Sequence, residues 1–410
     1  MTKLGLFQGH GIELEYMLVD QATLDARPIA EVVLGAEGEK TLEFTAWSNE
    51  LVQHVIELKT NGPAPSLVPL PALFQADIRN IDAQLAAHGA RLMGTAMHPW
   101  FDPRSETKIW AHEYTEVYHA YDRIFGVRGH GWSNLQSMHI NLPFADAAEF
   151  GRLHAAIRVV LPFLPALAAS SPIVEGVPTG SLDSRLQYYR MNSRRIPSAT
   201  AKVIPEPFYT PEEYEARILQ RIYADTAPLD PEGLLKHEFA NARGAIARFD
   251  RGAIEIRVID IQECPQADIA IAALVTAAVK AVATEKWVPL VRAQNLDVAP
   301  LHTQFLSCVT EGEEAVLSDQ EVLAALGFPG AVRTTGRELW QHLAGALSAG
   351  ESPLLDPLWL KTLDPIIEAG TLARRILQAV GPEAKKERIF EVYHTLADHL
   401  AHGTLFLEET

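Results

Sequence analysis

Cysteine is nearly missing from this chain: 410 residues include two, Cys264 and Cys308. Two thiols exclude a disulfide framework, and without paired C-x-x-C motifs a structural zinc site has no ligand set. A reducing cytoplasm is the expected setting. Basic residues are short as well, with 35 Lys and Arg against 52 Asp and Glu and a formal net charge of -17. A DNA or RNA binder needs a basic stripe and anionic lipid attracts a cationic patch, so neither nucleic acid nor membrane is an expected partner. Long apolar runs are also absent. The most apolar, Ile269 to Val279, is too short to cross a bilayer and is followed by Lys280. No basic segment with an apolar stretch behind it opens the chain, so no signal peptide is expected.

Several catalytic signatures are missing too. There is no G-x-x-x-x-G-K-[ST] phosphate loop, and the three glycines within 126–131 have no lysine beside them. No Gly-x-Ser-x-Gly elbow surrounds any serine. Internal repeats and low-complexity tracts are absent. What remains is the composition of an ordinary soluble protein, 48% hydrophobic and 21% charged, with ample material for a core.

The most informative stretch is Gly11-Ile12-Glu13-Leu14-Glu15-Tyr16. Its period-two alternation predicts a strand with Ile12, Leu14 and Tyr16 on one face and Glu13 and Glu15 on the other. Met138 to Leu142 repeats the pattern with His139 and Asn141. Ile254 to Val258 repeats it with Glu255 and Arg257. A merely wet face would mix in Lys, Thr and Ser. Carboxylates with an imidazole suit Mg²⁺ or Mn²⁺, and a guanidinium suits phosphate or carboxylate.

Five blocks carry a family resemblance: GIELE at 11–15, ELVQHVIELKT at 50–60, MHINLP at 138–143, YRMNSRRIPS at 189–198 and AIEIRVIDIQECP at 253–265. In this order they resemble the glutamate–cysteine ligase family 2 of carboxylate–amine ligases, within the glutamine-synthetase-like superfamily. No such motif is visible beyond about residue 290. The resemblance implies ATP- and Mg²⁺-dependent (or Mn²⁺-dependent) joining of a small-molecule carboxylate, glutamate in the best-known case, to an amine through an acyl phosphate. It implies that Glu13, His139 and Glu255 hold one ion and that Glu15, Glu50 and Glu57 hold another. In the family the 50/57 pair is usually Asp and Glu, so Glu50 is one methylene longer than the pattern. Arg257 would stabilise the transferring phosphoryl group, Asn141 would sit beside the metal site, and Arg190 would meet the substrate carboxylate.

The remaining elements follow from periodicity. Helices are expected at 66–89, 106–124, 145–169 with breaks near Pro162 and Pro165, 211–224 capped by Thr210, and 266–285. Strands are expected at 55–58, 91–97, 234–240 and 245–249. Ser170 to Pro207 reads as a long loop carrying Arg185, Arg190, Arg194 and Arg195. The tail reads as helices at 319–326, 336–347, 364–379 and 383–400, without strands. His98 and Cys264 read as structural residues. The expected fold is α+β: an antiparallel sheet curved into a half-open funnel, with helices on its apolar face. Residues 1–290 would form the catalytic domain and 291–410 a helical region packed on it, in a homodimer. Two other readings use the same residues: a non-catalytic nucleotide or metabolite sensor, and a metal-dependent hydrolase.

Overall fold

A computed structural model describes residues 3–235, 240–328, 330 and 333–407. Its main sheet has eight strands. These are β1 (Gly11–Asp20), β2 (Glu39–Thr41), β3 (Thr45–Asn49), β4 (Val55–Thr60), β5 (Ala90–Met93), β6 (Ser137–Pro143), β7 (Ala245–Arg248) and β8 (Ala253–Asp260). Seven run in the order β2-β3-β4-β1-β6-β8-β7, and β5 pairs with the second half of β1. Every pairing in this sheet is antiparallel.

The register gathers the acids. Glu13 lies opposite Lys59 on one side and His139 on the other; Glu15 lies opposite Glu57, and Glu255 opposite Asn141. A slip of one residue would send the whole polar set to the apolar face. That face holds the register. Ile12, Leu14, Tyr16, Ile56, Leu58, Ile140, Leu142 and Ile254 are fully buried. Each such side chain contributes roughly 1.5–3 kcal/mol on burial. Two carboxylates set directly opposite cost at most about 1 kcal/mol. Burial on one face therefore outweighs the crowding of Glu15 and Glu57 on the other.

Helices α1 (Leu70–Ala86), α3 (Ala147–Val160) and α5 (Pro265–Ala283) cover the apolar face, with α5 packed on α1 and α3. Between α1 and α3 lies α2 (Thr115–Phe125), and α4 (Ser184–Asn192) follows α3. The chain breaks at Pro162 and Pro165 as expected: α3 gives way to a 3₁₀ turn at Leu161–Phe163 and a short helix at Pro165–Ala168. Helix α5 is longer than the run read from the sequence. By length and composition it could cross a membrane, but nearly all of it is buried in this core.

Four other expectations are corrected. The helix expected at 106–124 is α2 alone; residues 107–110 run extended instead. Gln53 N donates to the Lys108 carbonyl at 2.9 Å and Trp110 N to that of Leu51 at 3.0 Å, burying the Trp110 ring. Residues 170–207 are not a loop. They contain a small hairpin (Ile173–Val174 with Val177–Pro178) and α4, whose N-cap Asp183 accepts from Leu186 N at 2.8 Å. In the tail, Val316–Leu317 pairs with Thr334–Thr335, a short ladder where no strand was expected. The expected helix at 364–379 is two, Leu360–Ala369 and Leu372–Val380, parted at Gly370 with φ 95°. The strand expected at 234–240 falls largely outside the described residues.

Candidate active site

Five neighbouring strands, β3, β4, β1, β6 and β8, supply the polar face. The His139 ring is its centre: Nδ1 is 2.8 Å from Glu13 Oε2 and 3.9 Å from Glu255 Oε1, and Nε2 is 3.8 Å from Glu15 Oε1. Asn141 Nδ2 donates to Glu13 Oε1 at 3.0 Å. Ser137 donates to Glu15 Oε2 through its backbone N at 2.7 Å and its hydroxyl at 2.9 Å. Ser48 Oγ donates to Glu57 Oε1 at 2.9 Å, and Lys59 Nζ donates to Ser48 Oγ at 3.0 Å. Ligand atoms of Glu13, His139 and Glu255 lie within 4.8 Å of one another, and so do those of Glu15, Glu57 and His139. Such sets of carboxylate and imidazole are suited to hard divalent cations.

Glu50 stands apart. It follows β3 in the link to β4 and lines a cavity with Glu15 and His139, but it belongs to neither close set. The sequence reading placed His139 with one set; the register makes it common to both.

Charge at the site is unbalanced. Burial, then repulsion from Glu13, pushes Glu57 up to about 7, although Lys59 and His139 pull the other way. Burial, with Glu15 and Glu57 beside it, pushes Glu50 well above the carboxylate range. Burial would raise Glu13 too, but its hydrogen bond to His139 and the charges of His139, Arg257 and Arg251 hold it down to about 2. The His139 ring is raised by Glu13 and Glu15 against the burial that would lower it. Carboxyls driven toward the neutral form mark a site short of positive charge. A divalent ion fits that deficit.

Arg257 completes the cluster from a bulge in β8 between Ile256 and Ile259. A bulge re-aims a side chain, and here the Arg257 N is tied to the Gly244 carbonyl at 2.9 Å. Its Nε lies 3.0 Å from Glu255 Oε1, and Arg248 Nη1 reaches Glu255 Oε2 at 3.4 Å.

Two cavities are each lined by part of the acid cluster. The inner one, about 260 Å³, is lined by Glu15, His139, Arg185, Arg248 and Arg257, with Tyr118, Tyr121 and Trp132 among its aromatic walls. The other, about 670 Å³, is lined by Glu13, Lys59, Asn141 and Arg251 and by the backbone of Gly11, Gly62 and Gly252.

Arg190, expected to meet the substrate carboxylate, is not among the residues lining either cavity. Helix α4 turns Arg185, Tyr189 and Asn192 to the inner cavity at helical spacing. Arg190 lies about 100° further round. It meets Gln187 Oε1 at 3.5 Å, and its charge acts on His302. Arg185, nearly fully buried and ion-paired to Asp260, lines the inner cavity instead. Arg194 is exposed, and Arg195 donates to the carbonyls of Arg123 and Ile124 at 3.1 and 2.9 Å. Arg248 and the aromatic wall were missed. The alternation of β7 and the helical phase of α4 and α2 were the signals that could have found them. His98, with Nε2 2.7 Å from the Leu24 carbonyl, and the buried Cys264, whose thiol burial pushes up, sit away from the acids.

Comparison with known proteins adds a frame to this geometry. The sequence model of glutamate–cysteine ligase family 2 matches residues 10–395, well past the last motif legible in the chain. An uncharacterised protein of Archaeoglobus fulgidus is 31% identical over 404 residues, 97% of this chain and 100% of its own. A Corynebacterium glutamicum protein, provisionally named glutamate–cysteine ligase 2, is 25% identical over 257 residues, 61% of each chain. Among solved structures, the bifunctional glutathione synthetase of Pasteurella multocida superposes with a TM-score of 0.61 at 12% identity. That match covers 97% of this chain and 53% of that one, so the chain spans about half the length of that enzyme. The glutamate–cysteine ligase of Francisella tularensis, solved in complex with AMP, gives 0.56 at 13% identity over 95% and 88% of the two chains. At these identities the likeness is one of fold.

Proposed function

The chain belongs to glutamate–cysteine ligase family 2, and from that premise we propose that it is an ATP- and Mg²⁺-dependent ligase joining a carboxylate to an amine through an acyl phosphate. The observation that carries this reading is one imidazole shared by two carboxylate sets, with a cavity on either side of the cluster and Arg257 on the lining of the inner one. The larger cavity would take ATP, and the inner one, floored by Arg185, Arg248 and Arg257, the carboxylate substrate. Glutamate is the carboxylate the family points to. Residues 1–290 would form the catalytic unit, a half-open funnel, with 291–410 buttressing it in a cytoplasmic homodimer.

A carboxylate acylates poorly because oxide is a bad leaving group. Transfer of the γ-phosphoryl group to a carboxylate oxygen releases ADP and makes phosphate the leaving group. The amine nitrogen then attacks the acyl carbon, loses a proton, and expels phosphate carrying that oxygen. Glu13, His139 and Glu255 would hold one Mg²⁺ or Mn²⁺, and Glu15, Glu57 and Glu50 another. The ions would offset charge on the phosphates. Asn141 fixes the Glu13 carboxylate. Arg257 and Arg248, both on Glu255, are placed to meet charge that grows on the transferring group. The aromatic wall keeps water from the acyl phosphate.

The test is isotopic. With ¹⁸O in the carboxylate substrate, one label per turnover should enter inorganic phosphate while ADP accumulates, screened over carboxylate–amine pairs. Label in AMP would mean adenylation, and unlabelled phosphate would mean hydrolysis; either result ends this reading.

A further inference from the structure

On the reading above, the substrate carboxylate and the transferring phosphoryl group take up the guanidiniums of the inner cavity. There are three: Arg185, ion-paired to Asp260, and Arg248 and Arg257, both on Glu255. No lysine lines this cavity among the described residues, and its imidazole, His139, belongs to the two carboxylate sets. Two acids, Glu15 and Glu50, stand on the same lining. An amine with a carboxylate of its own would bring a further negative charge here with no cation left to meet it. An unpaired charge is costly to take out of water.

The uncharged part of the lining is rich in rings. Tyr118 and Tyr121 come from one face of α2, three residues apart, and Trp132 and Leu135 come from the segment before β6. All four are only partly buried. Tyr121 and Trp132 stand 5.3 Å apart, centroid to centroid, and Phe125 braces both from off the lining, at 5.8 and 5.3 Å. Mutual packing accounts for that cluster. It does not account for three rings left partly open to an interior cavity. The polar ends of two of them are engaged elsewhere. Trp132 Nε1 donates to the Asn192 carbonyl at 3.2 Å, and the Tyr118 hydroxyl accepts from Asn49 Nδ2 at 3.1 Å. What this wall offers a ligand is therefore ring surface, which another ring packs against well.

Resting on the ligase reading above, we infer that the amine substrate is a primary amine with an aromatic body and no carboxylate. Its ring packs against Tyr121 and Trp132. The amine reacts neutral: the nitrogen–carbon bond forms, the acyl carbon–oxygen bond to phosphate breaks, and one N–H proton leaves on the phosphate. An amino acid is disfavoured by its carboxylate, and a small alkylamine leaves the aromatic wall unused.

The full chain with glutamate, ATP and Mg²⁺ tests this through five nucleophiles. Hydroxylamine, too small to need the wall, reports the acyl phosphate as a hydroxamate whatever the natural amine. Phenethylamine, phenylalanine and ethylamine differ from one another by a carboxylate or by the ring, and cysteine has the carboxylate without the ring. For amide formation, kcat/KM with phenethylamine should exceed that with each of the other three amines at least about tenfold, the scale on which a pocket sorts apolar groups. Tyr121→Leu and Trp132→Leu should each lower the preference for phenethylamine over ethylamine at least about threefold. That ratio is taken within one protein, so a loss of folded material cancels. Hydroxamate without phenethylamide overturns the inference and leaves the ligase reading standing. So does phenylalanine, cysteine or ethylamine used as well as phenethylamine, and so does a preference unchanged in both variants. No hydroxamate ends the ligase reading and the inference with it.

Discussion

Removing the Glu57 charge from the cluster should stabilise the metal-free protein. Glu57 is held up to about 7, against an ordinary value of 4.5. Between those two values the unfolded chain releases a proton that the native state keeps, so this group's contribution to stability falls as pH rises and levels off above 7. At about 1.4 kcal/mol per unit the loss is roughly 3 kcal/mol. Other groups titrate in the same range. Burial lowers His54 and His98 to about 4 and His154 to about 3, so those rings favour the native state increasingly as pH climbs toward 6.5. The wild-type curve alone therefore does not isolate Glu57, whereas the difference from Glu57→Gln does. Glutamine resembles the protonated acid, so the two proteins should melt together near pH 4. At pH 8 in EDTA the variant should be the more stable by about 3 kcal/mol. With unfolding entropy near 2.1 cal/mol/K per residue, that is a rise in Tm of about 3–4 °C for 410 residues. Mn²⁺ or Mg²⁺ at a hundred times its Kd should stabilise the wild type by about 2.7 kcal/mol and close the gap. Scanning calorimetry at pH 4 and pH 8, with EDTA and with metal, reads all four states. A variant no more stable than wild type at pH 8 in EDTA would refute the crowding of these carboxylates.

Other expectations follow from the same face. Glu255→Gln keeps the shape and removes a charge, so the metal-free melting temperature should change little while turnover falls by more than about a hundredfold; unchanged ADP release would end the assignment. Arg257→Lys keeps the charge but loses the planar fork, and single-turnover kinetics should show phosphoryl transfer slowed far more than ATP binding is weakened. Cys264→Ser places a hydroxyl in a fully buried site and should cost roughly 1 kcal/mol in chemical denaturation while activity persists; an inactive, well-folded variant would point to thiol chemistry instead. Arg190→Ala should leave the KM for the carboxylate unchanged, since the helix turns that residue away from the cavity.

The strands were legible because each alternates apolar with polar residues, and a sheet buried on one face enforces that pattern. Alternation therefore put Glu13 with Glu15, His139 with Asn141 and Glu255 with Arg257 on polar strand faces, and the family resemblance added Glu57. The sharing of His139 could not be read this way, because pairing register is a long-range property that no single strand encodes. That Arg190 lines neither cavity has a different origin. Residues 170–207 carry enough Gly, Pro and Ser to read as a loop, and in a loop every arginine is equally free to turn inward. Once Asp183 starts a helix, the phase selects Arg185, Tyr189 and Asn192. The extended run at 107–110 was likewise hidden, since Trp110 is held by backbone bonds to a segment far away in sequence.

A neutral imidazole has one lone pair. His139 turns Nδ1 toward Glu13 and Glu255 and Nε2 toward Ser137 and Glu15, so the tautomer determines which carboxylate set it can complete. With the proton on Nε2, the ring can donate to a cation beside Glu13 and gives its N–H to the Ser137 side. With the proton on Nδ1, the roles exchange. The two sets are thus not independent containers. Were an ion held through this ring in one set, the ring's proton would face the other, where only carboxylates would be left for a second ion. On the proposed two-ion reading, a single hydrogen atom would make the two affinities unequal.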